Sequence, residues 1–354
     1  MSTCHVPTYV HVRAPRVKCK QHGVRRVQLG LGEGQADMTV RLERQVIALA
    51  QECSVQAIGR LTGISWDRCW AVVERAVARG LRRKPVAVAR KIGVDEKSFA
   101  RRHKYETLVR NLEEGTIEYV ADKNNQESLA GYYRKFDDEQ REQIEAVAMD
   151  MWPPYIAATK AAVPQADEKI VFDKFHVMRG LSEAVDKVRK REHKELTAEG
   201  KDWLKWTRYL WLYNKENIPA KRQEEFSVLQ KLDLKVARAW AIKENFRHFW
   251  GYKRRGWALK FFKRWYHWAT HSRLEPIVKA AKTIKRHLAN ILTYLKHRIT
   301  NATTEAINAN IEKIKRMAYG FRNREHYRTA IYFHCGGLDL QPKSPPFSTV
   351  TTTC

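Results

Sequence analysis

Apolar positions Val40, Val46, Ile47 and Ala50 recur at helical spacing between residues 39 and 52, and Leu42 and Leu49 broaden the stripe. Ser54 starts a shorter helix that Gly63 interrupts, and Ser65 is placed to cap a third helix running to about Arg79. Ahead of them, the first 35 residues alternate β-like runs (Tyr9-Val-His-Val12, Arg16-Val-Lys18) with a glycine-rich stretch, Gly30-Leu-Gly-Glu-Gly34. Behind them, Arg79-Gly-Leu-Arg-Arg-Lys-Pro85 reads as a basic linker.

The pattern changes at Val86. Residues 91–99, 106–112 and 116–121 predict three strands, the last two forming a hairpin across Glu113-Glu-Gly115. A helix over 126–133 follows, with a second segment from Asp138. Residues 147–149 and 169–172 predict two more strands, separated by a helix that Pro153-Pro-Tyr155 opens. Three antiparallel strands followed by β-α-β specify an α/β sheet domain. After about Leu181 the pattern is helical, and residues 183–300 carry Trp203, Trp206, Trp211, Trp240, Trp250, Trp257, Trp265 and Trp268, eight of the eleven tryptophans. Tryptophans at helical spacing serve mostly as core, with stacking on unpaired bases as the alternative. The tail from Gly336 to Cys354, with Pro345, Pro346 and Thr351 to Thr353, is expected to be disordered.

Charge narrows the function. Lys and Arg number 66 against 39 acidic residues, a formal net charge of +27 spread over most of the chain, which argues for a polyanionic partner. No apolar run approaches the roughly 20 residues of a membrane span, and no secretory signal opens the chain. Six cysteines (4, 19, 53, 69, 335 and 354) form no disulfide framework, so free thiols in the cytosol are expected.

Residues 54–76 have helix-turn-helix spacing: Gly59 lies four before Gly63, and Ile58, Ile64, Cys69 and Val72 fall inward. The helix from Ser65 is then the candidate groove reader, with Arg68 and Arg75 as base or phosphate contacts. An ordinary helical hairpin has the same spacing. Cys19-x-x-His22 could be half of a zinc site, with Cys4, His5 and His11 the only further ligands upstream, or a remnant that binds no metal.

Three carboxylates suit a different metal. Asp95 and Asp150 end short apolar runs, and Glu305 opens a basic amphipathic helix, so strand ends and a packed helix could bring them together. Such oxygen donors suit Mg²⁺ or Mn²⁺, which keep waters and phosphate oxygens as further ligands. Two ions about 4 Å apart can drive an in-line phosphodiester displacement. Asp173-x-x-His176 is a second acidic candidate. It could replace Asp150, orient a ligand, touch the scissile strand, or be a structural hydrogen bond. Lys253, Arg254 and Arg255 flank the aromatic clusters as a further DNA contact.

Four ordered motifs carry a resemblance: Gly93-Val-Asp-Glu-Lys-Ser98, Met149-Asp-Met-Trp-Pro-Pro-Tyr155, Val171-Phe-Asp-Lys-Phe-His-Val177, and Asn301…Glu305…Ala318-Tyr-Gly-Phe-Arg-Asn323. Over about residues 12–340 the chain resembles the DDE transposases of the ISL-three insertion-sequence family. The resemblance implies a partial zinc-binding-like segment (1–35), a helix-turn-helix domain and linker (36–85) and a ribonuclease-H-like catalytic domain (86–185). An all-helical insertion (186–290) would interrupt that domain, and its last helix (291–335) would precede the tail (336–354). It implies Asp95 and Glu305 as catalytic acids. In Mutator-like relatives the second Asp follows the fourth strand and a separate Cys/Asp-x-x-His motif follows the fifth, which favours Asp150 over Asp173 and makes Asp173 and His176 auxiliary. The Cys-x-x-Cys pair that family members carry before the stretch matching 12–22 is absent here, so a shortened start and an incomplete zinc site are expected. The implied function is cleavage and strand transfer of double-stranded DNA at element ends by a homo-oligomer, in the bacterial cytoplasm at the nucleoid. Rival readings are a decayed transposase acting as a repressor, which has no use for the acids, and a nuclease that never joins strands.

Overall fold

A computed structural model describes residues 2–3, 6–7, 11–13, 15–21, 23–26, 31, 38–100, 104–299 and 302–343. The side chains of 2, 3, 6, 7, 25, 26, 100, 104 and 302–305 are not among those described. Two short hairpins come first, β1 (Ser2–Thr3) with β2 (Val6–Pro7) and β3 (Arg16–Cys19) with β4 (Gly23–Arg26). Three helices follow: α1 (Val40–Glu52), α2 (Val55–Thr62) and α3 (Trp66–Arg83). Thr39 and Ser54 cap the first two by accepting the N–H groups of Leu42 and Ala57 at 3.3 and 3.2 Å. Gly63 closes α2 in the left-handed region, at φ 72°, which a side chain would strain. The tight turn puts α3 across α2 as a helix-turn-helix.

The basic run expected as a linker is instead helix through Arg83. It is docked: Arg79 is buried, pairing with Glu43 at 2.6 Å and donating to the Leu340 carbonyl. Glycine at position 80 makes room, because a Cβ there would lie 2.6 Å from that of Leu338. Residues 336–343 therefore depart from the disorder expected of the tail, with Leu340 buried and the Pro342 carbonyl accepting from Arg44 at 2.9 Å. The remainder of the tail lies outside the described residues.

The sheet contains β5 (Lys91–Ala100), β6 (Lys104–Asn111), β7 (Thr116–Asp122), β8 (Ala146–Met149) and β9 (Ile170–Phe172) in the order β7-β6-β5-β8-β9. The first three are antiparallel neighbours, whereas β8 runs parallel to both β5 and β9. Between strands lie α4 (Gln126–Tyr133), α5 (Asp138–Glu142), α6 (Pro153–Ala162) and α7 (Ala166–Lys169).

After β9, α8 (Lys174–Ala198) leads into a helical region of α9 (Arg208–Leu212), α10 (Gln223–Lys231), α11 (Lys235–Phe246), α12 (Arg255–Thr270), α13 (Glu275–Arg286), α14 (Leu288–Leu292) and α15 (Tyr294–His297). The chain returns as α16 (Ala302–Met317) and α17 (Arg324–Cys335). Two hydrophobic cores result. One joins β5, β8, β9 and α4 to the helical region. The other joins α1–α3 to β6, β7, α16, α17 and Leu340. The eight tryptophans of residues 183–300 divide evenly: Trp211, Trp240, Trp250 and Trp265 are core, whereas Trp203, Trp206, Trp257 and Trp268 are exposed. Among the described residues no helix is long and apolar enough to cross a membrane.

Candidate active site

Strand register decides which side chains share an edge of the sheet. Gly93 on β5 lies opposite Ala148 on β8, and Met149 on β8 lies opposite Phe172 on β9. Counting on from those pairs, Asp95, Asp150 and Asp173 stand at one level across three parallel strands. Parallel strands open their C-terminal ends on one side, so acids placed there converge. The Asp173 N–H, donated to the Met149 carbonyl at 3.1 Å, extends the pairing to that level.

Asp95 is held on both oxygens. Its Oδ2 accepts from Arg110 Nη2 at 2.8 Å and Asn308 Nδ2 at 3.2 Å, and its Oδ1 accepts from the Glu96 N–H at 2.8 Å. Burial alone would raise its pKa, but the Arg110 charge and these hydrogen bonds outweigh it, holding the carboxyl below its ordinary value. Asp150 moves the other way. Burial pushes it up, His176 opposes, and the neighbouring Glu96 and Asp95 charges push it further. Asp173 caps α8, accepting from the Phe175 N–H at 2.7 Å, and lies 3.6 Å from His176 Nδ1. Asp150 makes the same kind of local bond, accepting from the Trp152 N–H at 3.1 Å, and it also answers electrostatically to Asp95 and His176.

Glu305 lies in α16, and its side chain is outside the described residues. Asn308, three residues on, reports where that helix packs: besides bonding Asp95, its Oδ1 accepts from Arg110 Nη2 at 2.9 Å. Positions three apart neighbour each other on a helix, so the turn carrying Glu305 adjoins the one that touches Asp95. Arg110 and Asn308 were not foreseen from sequence. Arg110 interrupts the apolar run Leu108-Val109 in β6, and Asn308 follows Glu305 by one turn, but neither signal alone distinguishes a site residue from a surface one.

Among the described residues, no three His, Cys, Asp or Glu side chains are grouped closely enough to hold a metal ion. Mg²⁺ does not need three, since it binds through one or two carboxylates and completes its shell with waters and phosphate oxygens. Asp95 and Asp150 fit that demand as hard oxygen donors, and the burial that raises Asp150, to which the Glu96 and Asp95 charges add, is a penalty a cation would offset. At the N-terminal segment Cys19 is half-buried at the end of β3, and His22 lies outside the described residues.

The proposed DNA contacts separate on inspection. Ser65, as N-cap of α3, and Arg68 are exposed. Arg75 pairs with the buried Glu43 at 3.2 Å while its own side chain stays 35% exposed. Lys253, Arg254 and Arg255 are exposed at the start of α12. Their corner is anchored near the entry to α16: Arg298 donates to the Tyr252 carbonyl at 2.8 Å, and the Trp250 and Tyr294 rings meet edge-on at 5.1 Å.

Residues 92–331 match a family model described as transposase, and residues 33–77 match the helix-turn-helix domain of transposase family ISL3. The chain is 26% identical over 323 residues to the transposase for insertion sequence element IS1001 of Bordetella parapertussis, covering 90% of this chain and 79% of that protein. It is 28% identical over 342 residues to the transposase for IS1557 of Mycobacterium tuberculosis, covering 90% and 76%.

Proposed function

Because this chain belongs to the ISL3 family of transposases, we propose that it binds the terminal inverted repeats of its own insertion sequence and cuts and joins DNA at Asp95, Asp150 and Glu305. The observation that carries this reading is the common level of Asp95 and Asp150 across parallel strands, with α16 packed against Asp95 through Asn308. The β7-β6-β5-β8-β9 order, with its antiparallel half and parallel half, supports a ribonuclease-H-like catalytic domain. The helices between β9 and α16 support its interruption by a helical insertion.

Asp95, Asp150 and Glu305 would hold divalent cations, Mg²⁺ or Mn²⁺, which activate the attacking oxygen and stabilise the leaving one. The protein's own groups prepare that site. Arg110 keeps Asp95 ionised and aimed, and Asn308 ties the helix of Glu305 to it. His176 stands between Asp150 and Asp173, where it can orient either carboxylate or meet the scissile strand. Water first attacks the phosphorus at the element's end, the P–O3′ bond breaks and a 3′-hydroxyl is freed. That hydroxyl then attacks a target phosphorus, loses its proton and displaces a second O3′. Ser65 and Arg68 at the start of α3 would read the repeats, and Lys253, Arg254 and Arg255 would hold flanking or target strands by their phosphates. A homo-oligomer would bring two ends together.

Incubating the purified chain with its element-end DNA and Mg²⁺, then sequencing the products, tests the reading. Cut ends bearing 3′-hydroxyls and joined target strands are expected. Cutting without joining would leave a nuclease, and bound but uncut DNA would leave a repressor.

A further inference from the structure

An open groove of about 660 Å³ runs between the helix-turn-helix and the turn joining α16 to α17. Its walls are flat aromatic faces. Trp66 and Trp70 stack 5.7 Å apart within 6° of parallel, and His326 lies 4.6 Å from Trp70. Trp70 is nearly buried and fixed by its indole N–H, donated to Glu74 at 2.7 Å, whereas Trp66 is 45% exposed. The inner ring is thus structural and the outer one is offered to the groove.

Tyr319 stands on the facing elements. Its backbone is left-handed at φ 50° and its ring is 95% exposed. The conformation itself has a reason: Tyr319 and Gly320 donate to the Arg316 and Lys315 carbonyls at 3.1 and 2.9 Å, closing α16. Glycine or asparagine would close the helix without strain, whereas a tyrosine is strained there and, almost fully exposed, gains little internal contact in return. That leaves the tyrosine open to a ligand from outside.

The chemistry of the lining says which. Among the described residues, no carboxylate lines the groove, whereas Arg322, His326 and His334 do. Trp66 follows Ser65 directly, in the first turn of α3. Arg322 also lines the adjoining depression with Phe99, Lys123 and Arg324, and there Asn124 donates to Glu96 beside Asp95. The groove therefore leads from the reading helix towards the acids.

We infer that this groove takes an unpaired nucleobase of the bound DNA, stacked on Trp66 and Tyr319, with its phosphate on Arg322. This rests on the DNA-binding reading above. A base already unpaired or frayed enters at least cost, and stacking accepts any base because each has a π-face.

The test compares binding of the full chain to a blunt duplex and to the same duplex carrying a short single-stranded end with 2-aminopurine in it. Native protein should prefer the second and quench the probe. Trp66→Ala should weaken binding to the single-stranded end by about tenfold to a hundredfold and abolish quenching, while blunt-duplex affinity stays within about twofold. Trp66→Phe should restore much of the loss. Tyr319→Gly, which relieves the left-handed strain, should melt no lower than the native protein yet also lose affinity for the unpaired end. Equal losses on both DNAs, or none, would overturn the assignment. So would a change in oligomeric state by light scattering with DNA affinity unchanged, because the groove would then seat a second copy. Native protein that binds both DNAs equally sinks the base site alone. Native protein that binds neither sinks the DNA-binding reading and the site with it.

Discussion

The two cores of this protein use buried charge differently. In the core shared with the helical region, ionised side chains finish helix ends. Lys243, fully buried, donates to the Leu212 and Tyr213 carbonyls at 3.1 and 2.9 Å where α9 ends. Glu192 accepts the Lys235 and Val236 N–H groups at 2.6 and 2.8 Å where α11 begins. In the core beneath the helix-turn-helix, buried carboxylates instead pair with arginines of other elements. Glu43 holds Arg79 and Arg75 at 2.6 and 3.2 Å, and Glu106 holds Arg324 and Arg328 at 2.7 and 3.0 Å. Parting such elements would strand an uncompensated ion, which is far costlier than parting apolar surfaces of similar size. The helical region is thus knit within itself, whereas ion pairs fasten α1 to α3 and α17 to the sheet. The acids stand at the seam: Asp95 bonds Arg110 and Asn308 on the fastened side, while Asp150 and Asp173 lead into α6 and α8 on the other.

The largest effect should come from the seam. Asp95→Asn, Asp150→Asn and Glu305→Gln should each lower cleavage by about a thousandfold or more while leaving end-binding intact, because each amide keeps the shape and loses the metal-holding charge. Normal cutting by Asp150→Asn, with Asp173→Asn inactive, would move the middle acid to β9. Next come the cores themselves. In urea titrations Glu43→Gln should cost about 3–5 kcal/mol, since Arg79 is left buried without its counter-charge. Lys243→Met, which leaves mainly backbone carbonyls unmet, should cost only about 1–3 kcal/mol. The reverse order would break the comparison.

The smallest effect concerns pH across the seam, in metal-free buffer. A carboxyl lowered by folding gives stability that is present above its ordinary value and lost as pH falls through the folded one. Asp95 is such a group, so Asp95→Asn should be less stable than the native chain at neutral pH, by a margin that shrinks on strong acidification. Asp150 is raised, so the stability it gives is present below its ordinary value of 3.8 and lost as pH rises through the folded one. Asp150→Asn should therefore be the more stable protein at neutral pH, with an advantage that fades towards acid. Melting curves over that range check both slopes, and two slopes of the same sign would refute the opposite environments.

Local patterns carried the sheet and the helix-turn-helix. The β6–β7 hairpin was legible in Glu113-Glu-Gly115, where Gly115 takes φ 70°, and the turn at Gly63 in its spacing from Gly59. Asp95 and Asp150 were visible as polar residues ending short apolar runs, although Asp95 falls in the middle of β5 and Asp150 just past β8. What escaped were residues whose surroundings come from afar. Arg79 looked like a solvated linker cation because Glu43 and the Leu340 carbonyl lie 36 and 261 residues away. Arg110 hid in a strand for the same reason, its partner Asn308 being 198 residues on. The tryptophans split because helical spacing marks a buried face without saying which rings pass its rim.

The docking of α3 against residues 338–340 also has a bearing on synthesis. The reading helices leave the ribosome ahead of the segments they pack on: Val46, Val72 and Val77 share a core with Ile307, Ile311, Ile331 and Leu340, which are translated later. Contacts of such long sequence separation form late and fold slowly. A nascent chain halted midway would carry Glu43 and Arg79 without the segment that completes their cover. Full docking of the helix-turn-helix thus awaits almost the whole chain, acids included, so an unfinished product lacks the seating from which the finished one would act on DNA.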